Sequence, residues 1–296
     1  MTNTLEQMRH KIAGAEQLES VVRTMKAQAA SSITQYENAV LALEDYTRTV
    51  ELGLIACFAR NKPMVSQASE QRELITIVFG SDQGLVGKFN DQLADAVKTS
   101  LAAQTGKKTL WAVGQRVCGH LIDAGFPIEK TFDVPASIAA ITPLIGQILS
   151  ECVSASLPES NAKILMFYNH LHTGNVYEPA SQQLLPLDAA WQNGLACRAW
   201  PGKALPEILE DRGAPLLSTL IREHLFISLY RACAESLASE NASRLAAMQR
   251  AEKNIDSLLE TLKQTSRTLR QNSIDEELFD VIAGYDGAHS SHGGDL

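Results

Sequence analysis

Neither glycine nor proline occurs between Leu216 and Ala283, and the rest of the chain is best understood from that absence. With neither breaker present, the stretch can run as one helix on the order of 100 Å long at about 1.5 Å per residue, far beyond the roughly three turns of an ordinary globular helix. Other absences exclude whole function classes. No apolar run approaches the ~18 residues a membrane-spanning helix needs, and MTNTLEQMRH is not a basic segment leading into an apolar one. Neither a transmembrane anchor nor a secretory signal is therefore expected, which places the chain in the cytoplasm. Basic residues are in deficit: the net charge of −8 argues against a nucleic-acid binder or a basic membrane-surface helix, both of which need clustered Lys and Arg. The five cysteines (Cys57, Cys118, Cys152, Cys197, Cys233) are dispersed with no C-x-x-C pair, and read as buried free thiols.

What is present along the C-terminal stretch is a seam. Apolar or small residues recur at spacings of three and four through Ile227, Tyr230, Ala234 and Leu237, then Leu245 and Met248, then Ile255, Leu258, Leu262 and Leu269. Such a seam asks for a partner helix along its length. Its middle is Ala- and Ser-rich, so a partner backbone can approach closely, and Asn241 is a polar residue able to fix register there. The partner is at the other end of the chain. Leu5, Met8, Ile12, Ala15, Val22, Met25 and Ala29, then Tyr36, Val40, Leu43, Thr47, Val50, Leu54 and Cys57, form a matching seam. Residues 4–58 read as one long helix, within an N-terminal coiled-coil segment 1–58. A folded domain between the two helices makes their pairing an antiparallel coiled coil.

Between them, residues 60–71 read as a polar linker, and strand and helix signals then alternate. Strands are expected at 73–79, 110–113, 127–134, 163–171 and 182–187, and helices at about 89–104, 115–124 and 137–156. That alternation predicts a Rossmann-like α/β domain over 72–215 with a mainly parallel sheet. Segment 188–215, with its prolines, glycines and two tryptophans, reads as a connection packed over the domain. The C-terminal coiled-coil helix is placed at 216–284 and a disordered tail at 285–296. The fold class is thus α/β plus a long antiparallel coiled coil.

No residue constellation amounts to an active site. GSDQGLVGKFN at 80–90 sits where a phosphate loop would, but both a Walker loop and a dinucleotide fingerprint ending at Gly87 need glycine at 82, which is Asp82. Phe89 stands where a Walker loop needs Ser or Thr for magnesium. A carboxylate at 82 would also repel phosphates, so the stretch reads as a turn that lets the next helix pack on the sheet. His170 and His172 share a strand face without a nearby acid or cysteine in sequence, and His289 and His292 lie in the tail. Neither Ser137 nor Ser181 lies in a nucleophile elbow, and Asp275, Glu276 and Glu277 lie on the C-terminal helix rather than in a cleft. Lys263, Arg267 and Arg270, spaced four and three, put three cations on one helix face, either a solvated surface or a handle for an acidic partner.

LYRACAESLASENASRLAAMQRAEKN (229–254) and LRQNSIDEELFDVIAG (269–284) carry a pattern: Glu235, Ser236, Ser239, Glu240, Arg244, Ala247, Met248, Ala251 and Asn254, then Arg270, Gln271, Ile274, Glu277 and Leu278. In these residues the chain closely resembles the γ subunit of F-type ATP synthases. GSDQGLVGKFN is similar to that family's S-D-[RK]-G-L-C-G-x-[FY]-N, and Arg9, Ile12, Met25 and Lys26 fall at family positions. The resemblance implies a rotor shaft, non-catalytic and without a cofactor. Its partners would be the α and β subunits of the catalytic hexamer, the ε subunit and the membrane c-subunit ring, with no nucleic acid and no direct membrane insertion. It further implies a peripheral protein on the cytoplasmic face of the bacterial inner membrane, working in ATP synthesis and ion (proton or sodium) transport. Arg270 and Gln271 would contact a loop of β, with Lys263, Arg267, Met25 and Lys26 as further partner-binding residues.

Two departures from the family mark a divergent branch. AQAASSITQYENAV follows Lys26 where the family is Lys-rich, and Val86 and Gln83 replace its cysteine and basic residue. The branch could serve an alternative rotary ATPase. No cysteine-bearing chloroplast-type insertion is present, in keeping with a bacterial type. A nucleotide-binding α/β protein and a free-standing coiled-coil scaffold are the alternatives.

Overall fold

The computed structural model describes residues 5–60, 73–104, 106–155, 162–172, 176–206 and 216–290. The linker expected at 60–71 lies, from residue 61 on, outside them. The helix at the N-terminal end is interrupted once: α1 (Leu5–Ala42) and α2 (Glu44–Arg60) are separated by a turn at Leu43. No glycine or proline causes the break. The Leu43 N–H donates to Val40 O (3.1 Å), a tightened turn, and the Leu43 carbonyl accepts both the Thr47 N–H (2.8 Å) and the Thr47 hydroxyl (2.8 Å). A hydroxyl that bonds back by one turn in this way tends to bend a helix.

The α/β part contains β1 (Leu74–Phe79), α3 (Phe89–Ala102), β2 (Lys108–Val113), α4 (Gln115–Asp123), β3 (Ile128–Phe132), α5 (Ile138–Ala155), β4 (Lys163–His172) and β5 (Val176–Leu185). The sheet order is β3-β2-β1-β4-β5. β1 lies parallel to β2 and β4, β2 parallel to β3, and β5 antiparallel on β4 at the edge. LITIVF of β1 is buried throughout, as a central parallel strand covered on both faces must be. β5 begins earlier than its apolar signal at 182–187, because VYEPAS is half-polar and sits on an edge with one exposed side. Within segment 188–215, α6 (Ala189–Ala196) is a short helix capped by the Asp188 carboxylate, which accepts from the Ala190 N–H at 3.0 Å. α6 packs on α2 through Leu195 and Trp191, against Val50, Leu54 and Phe58.

The last helix, α7 (Leu216–Ser290), extends into the segment read as a tail, and residues 291–296 lie outside the described residues. Gly284 and Gly287 each cost only about 1 kcal/mol in a helix, and no proline stops it. The chain divides into two compact units, residues 28–245 and residues 1–27 with 246–296, so both α1 and α7 contribute to each. In the larger unit, one face of the sheet (Ile75, Ile77, Phe79, Trp111, Met166) shares a core with α5, with Tyr36 of α1 and with Leu225, Leu229, Ala234 and Leu237 of α7. The opposite face packs on α3 and α4. In the smaller unit the helices pair antiparallel: Lys26 Nζ lies 2.5 Å from Glu252, and Lys263 Nζ lies 3.1 Å from Glu16.

Buried positions on α1 recur every seven residues at Met8, Ala15, Val22, Ala29 and Tyr36, the period of a supercoiled seam. On α7 the seam departs from the sequence reading at one place. Leu259 is buried (6% exposed) whereas Leu258, which the pattern placed in the seam, is 49% exposed. Met248, Ile255 and Leu262 keep the seven-residue period, and the inward position between Ile255 and Leu262 is Leu259 rather than Leu258. Leu259→Ala is accordingly expected to destabilise the helix pair by about 2 kcal/mol or more, and Leu258→Ala by no more than about 0.5 kcal/mol. Urea unfolding followed by circular dichroism distinguishes the two; the reverse order would put Leu258 in the seam.

Candidate functional site

At the end of β1, Gly80 is pressed against α4, where a Cβ would lie 2.2 Å from Val117. The loop that follows is bound to its own surroundings. The Ser81 N–H donates to Asn90 Oδ1 (3.2 Å), Asn90 Nδ2 donates to Ser81 Oγ (2.9 Å), and Ser81 Oγ donates to Gln83 O (3.1 Å). Asp82 holds two neighbouring segments: one carboxylate oxygen accepts the Gln115 N–H at the start of α4 (2.8 Å), and the other accepts the Val134 N–H beyond β3 (3.0 Å). Gly114, at φ +111°, makes the turn into α4 possible, since a Cβ there would meet Ser81 O at 2.7 Å. Asp82 is therefore a fastener that caps the start of α4 and ties down Val134 after β3, and its carboxylate is committed to backbone N–H groups of this chain.

In doubly wound sheets, ligands settle at the carboxyl ends of the strands where the order reverses, here between β1 and β4. That crevice is filled by α7. Ser236 Oγ donates to Phe79 O at the end of β1 (2.8 Å), and Ser239 Oγ donates to Asn169 O of β4 (2.9 Å). Ser243 Oγ donates to Val86 O in the loop and accepts from the Tyr177 hydroxyl (3.2 Å). Ala232, Ala234, Ala238 and Ala242, all buried, let the helix come this close. Beside the serines lies an ion pair within the helix, Arg244 Nη2 donating to Glu240 Oε1 at 2.5 Å. Burial raises the Glu240 carboxyl above its ordinary range; Arg244 acts against that and Asp82 adds to it.

The sequence-predicted residues fall in several places. Lys26 and Lys263 are engaged within the chain, by Glu252 and Glu16. Met25 is half-buried beside Lys26. Arg267 is exposed, but Glu19, Asp256 and Glu260 line the same groove as it and Lys263, so this basic face is largely neutralised. Arg270 and Gln271 are exposed on α7, and beyond them Ile274, Leu278, Phe279, Val281 and Ile282 are exposed large apolar residues. His170 pairs with Glu235 (2.6 Å) and His172 with Glu178 (2.7 Å), acids the sequence alone did not bring near. Among the described residues no group of three His, Cys, Asp or Glu is placed to hold a metal. Burial pushes the Cys152 thiol up to about 12 and raises Cys233 as well, so both stay protonated and unreactive. The serine contacts were the feature that sequence reading missed. Their three-and-four spacing is visible, but the carbonyls they meet lie far away along the chain.

The sequence profile described as ATP synthase matches residues 4–287. The chain belongs to the ATP synthase family. An ATP synthase gamma chain of Chlorobium limicola is 26% identical over 294 residues, covering 96% of this chain and 98% of that one. One from Syntrophus aciditrophicus is 23% identical over 292 residues, covering 95% and 97%. The fold is shared with a chain of the Euglena gracilis mitochondrial ATP synthase (OSCP/F1/c-ring, rotational state 3), at TM-score 0.67 and 17% identity over 99% of this chain and 97% of that one. A chain of the Tetrahymena thermophila mitochondrial central stalk and c-ring gives TM-score 0.56 at 21% identity, covering 78% and 99%. As in other members of the ATP synthase family, the long terminal helices of this chain flank a central mixed α/β sheet.

Two outcomes follow for the loop and the buried pair. Asp82→Ala leaves two backbone donors without their carboxylate and should destabilise the larger unit by about 1–3 kcal/mol, read by urea unfolding. Because the folded-state pKa of Glu240 is raised, the folded chain holds that proton more readily than the unfolded chain. Its contribution is therefore fully present below the ordinary carboxylate pKa and lost as pH rises through the raised value. The stability of the wild type relative to Glu240→Gln should thus fall as pH rises from the ordinary carboxylate range through the raised value; a gap independent of pH would show that Glu240 is not perturbed.

Proposed function

We propose that this chain is the γ subunit of an F-type ATP synthase, the central rotor shaft that couples ion translocation through a membrane ring to ATP synthesis or hydrolysis on the β subunits. In this reading residues 1–58 and 216–284 form the shaft and 72–215 the α/β domain. The catalytic chemistry belongs to the β subunits. The partners are the α and β subunits, the ε subunit and the c-ring. No helix among the described residues is long and apolar enough to cross a membrane, so the chain is a peripheral part of a membrane-associated complex. We place it on the cytoplasmic face of a bacterial inner membrane.

The observation that carries this reading is the exposed apolar surface toward the end of α7. With Glu16 opposite Lys263, antiparallel register brings Leu5 to about residue 274. Beyond that point, among the described residues, Leu278, Phe279, Val281 and Ile282 of α7 are apolar and exposed, Phe279 by 70%. A contiguous exposed apolar surface marks a partner, and for a shaft that partner is the interior of the αβ hexamer. Arg270 and Gln271, at the edge of this surface, supply directional contacts to β. The filled crevice between β1 and β4 supports the same reading over a nucleotide-binding protein, because it leaves no room for the nucleotide.

Co-expression with α and β subunits tests this directly: one copy of the chain should co-purify per hexamer. Arg270→Ala with Gln271→Ala should weaken retention by roughly tenfold or more, as losing hydrogen bonds to a charged group implies, with the helix content of the isolated chain unchanged. Failure of the wild-type chain to assemble, or micromolar ATP binding by the isolated chain in calorimetry, would contradict the proposal.

A further inference from the structure

Many helical hydroxyls in this protein bond back by one turn. Thr24, Thr47, Thr49, Thr99, Ser154, Ser228, Ser257, Thr261, Thr265 and Thr268 all donate to the carbonyl four residues earlier. Ser236, Ser239 and Ser243 do not. Spaced three and four, they share one face of α7, and each donates outward to the α/β domain, at Phe79 O, Asn169 O and Val86 O. The three acceptors belong to β1, to β4 and to the loop after β1, so the helix is held at separate points across the strand-order reversal. All three serines are buried, and Tyr177 from β5 closes on Ser243.

We infer that Ser236, Ser239 and Ser243 form a clamp that locks α7 to the α/β domain against rotation about the helix axis, and so carry torque between them. The inference rests on the shaft reading given above. Apolar contact is non-directional, so the Ala and Leu interface around the serines resists separation of helix and sheet far more than it resists sliding. Hydrogen bonds weaken steeply as their angle departs from linearity. Turning α7 by a fraction of a helical step would misalign all three at once, because they lie on one face. The serines are positioning residues: each donates to a backbone carbonyl of the α/β domain, and their effect is to keep the domain and the helix in fixed angular register while a load acts on one and is delivered by the other.

The test uses the assembled complex reconstituted in vesicles, with ATP hydrolysis and ion pumping measured on the same preparation, pumping being followed by a pH-sensitive dye and by sodium uptake. The variant carries Ser236→Ala, Ser239→Ala and Ser243→Ala, and Ser228→Ala serves as the control, removing a hydroxyl of the same helix that bonds back to His224 O. The ratio of ions pumped to ATP hydrolysed should fall severalfold in the triple variant, and fall further as the opposing ion gradient grows. A folding defect would reduce the number of working complexes and leave that ratio constant. If the triple variant fails to assemble, the three single variants are measured, each expected to lower the ratio under load while Ser228→Ala does not. A ratio equal to wild type at every gradient, in assembled triple or single variants, overturns the clamp and leaves the shaft reading standing. Failure of the wild-type chain to assemble overturns the shaft reading, and the clamp with it.

Discussion

The closeness of α7 to the carboxyl edge of the sheet is the constraint on which the rest depends. A helix carrying large side chains could not enter the crevice between β1 and β4; Ala232, Ala234, Ala238 and Ala242 make the approach possible. Such an approach buries strand-end carbonyls that would ordinarily face solvent or ligand, and each must find a donor or cost about 1–3 kcal/mol. Serine answers both needs, being small and able to donate. The same closeness places Glu240 and Arg244 in a poorly solvated position, where an ion pair contributes little net stability but tolerates no unpaired partner. It also makes the larger unit a single body, with α7 and the end of α1 sharing the core of the sheet rather than lying on its surface.

A crevice filled in this way turns a ligand-binding architecture into a mechanical one. Asp82 repeats the logic on a smaller scale, since the position that glycine holds in a phosphate loop here carries a carboxylate that fastens two backbone N–H groups. In the smaller unit the paired helices are fastened by charge: Lys26 with Glu252 and Lys263 with Glu16. The exposed Lys263–Glu16 pair is worth at most about 1 kcal/mol, so its main use is register, and the Lys26–Glu252 pair is half-buried. Among the described residues, Arg270, Gln271 and the apolar residues from Ile274 on are exposed together toward the end of α7. A shaft that acts differently on each subunit around it needs such a face, because a partner that met the same surface at every angle would have no state to prefer.

Much of this was legible in the sequence. The breaker-free stretch fixed α7, the heptad spacing of Met8, Ala15, Val22, Ala29 and Tyr36 identified the seam, and the run ELITIVF marked the central strand. The Leu258/Leu259 choice was not legible, because either of two adjacent leucines can fill the position between Ile255 and Leu262, and a small rotation of the helix decides which one faces inward. Nor was the turn at Leu43, which rests on the Thr47 hydroxyl rather than on a recognised breaker. Of the site, the absence of a phosphate loop could be argued from Asp82 alone. What Asp82, Ser236, Ser239 and Ser243 hold could not be argued, since each of their partners is a backbone group brought near by topology. Lys26 and Lys263 looked available to a partner for the same reason: their acids lie on the opposite helix.

The claim at the centre of this account is that the chain turns inside a hexamer. Cys197 is exposed, while Cys57, Cys152 and Cys233 are buried, so a probe can be attached there once Cys118, which is half-buried, is replaced by serine. With the hexamer fixed to a surface and a bead on Cys197, addition of ATP should drive unidirectional rotation with three pauses per turn, one for each catalytic β subunit. A bead that stays still while ATP is hydrolysed, or that wanders in both directions, would contradict the account.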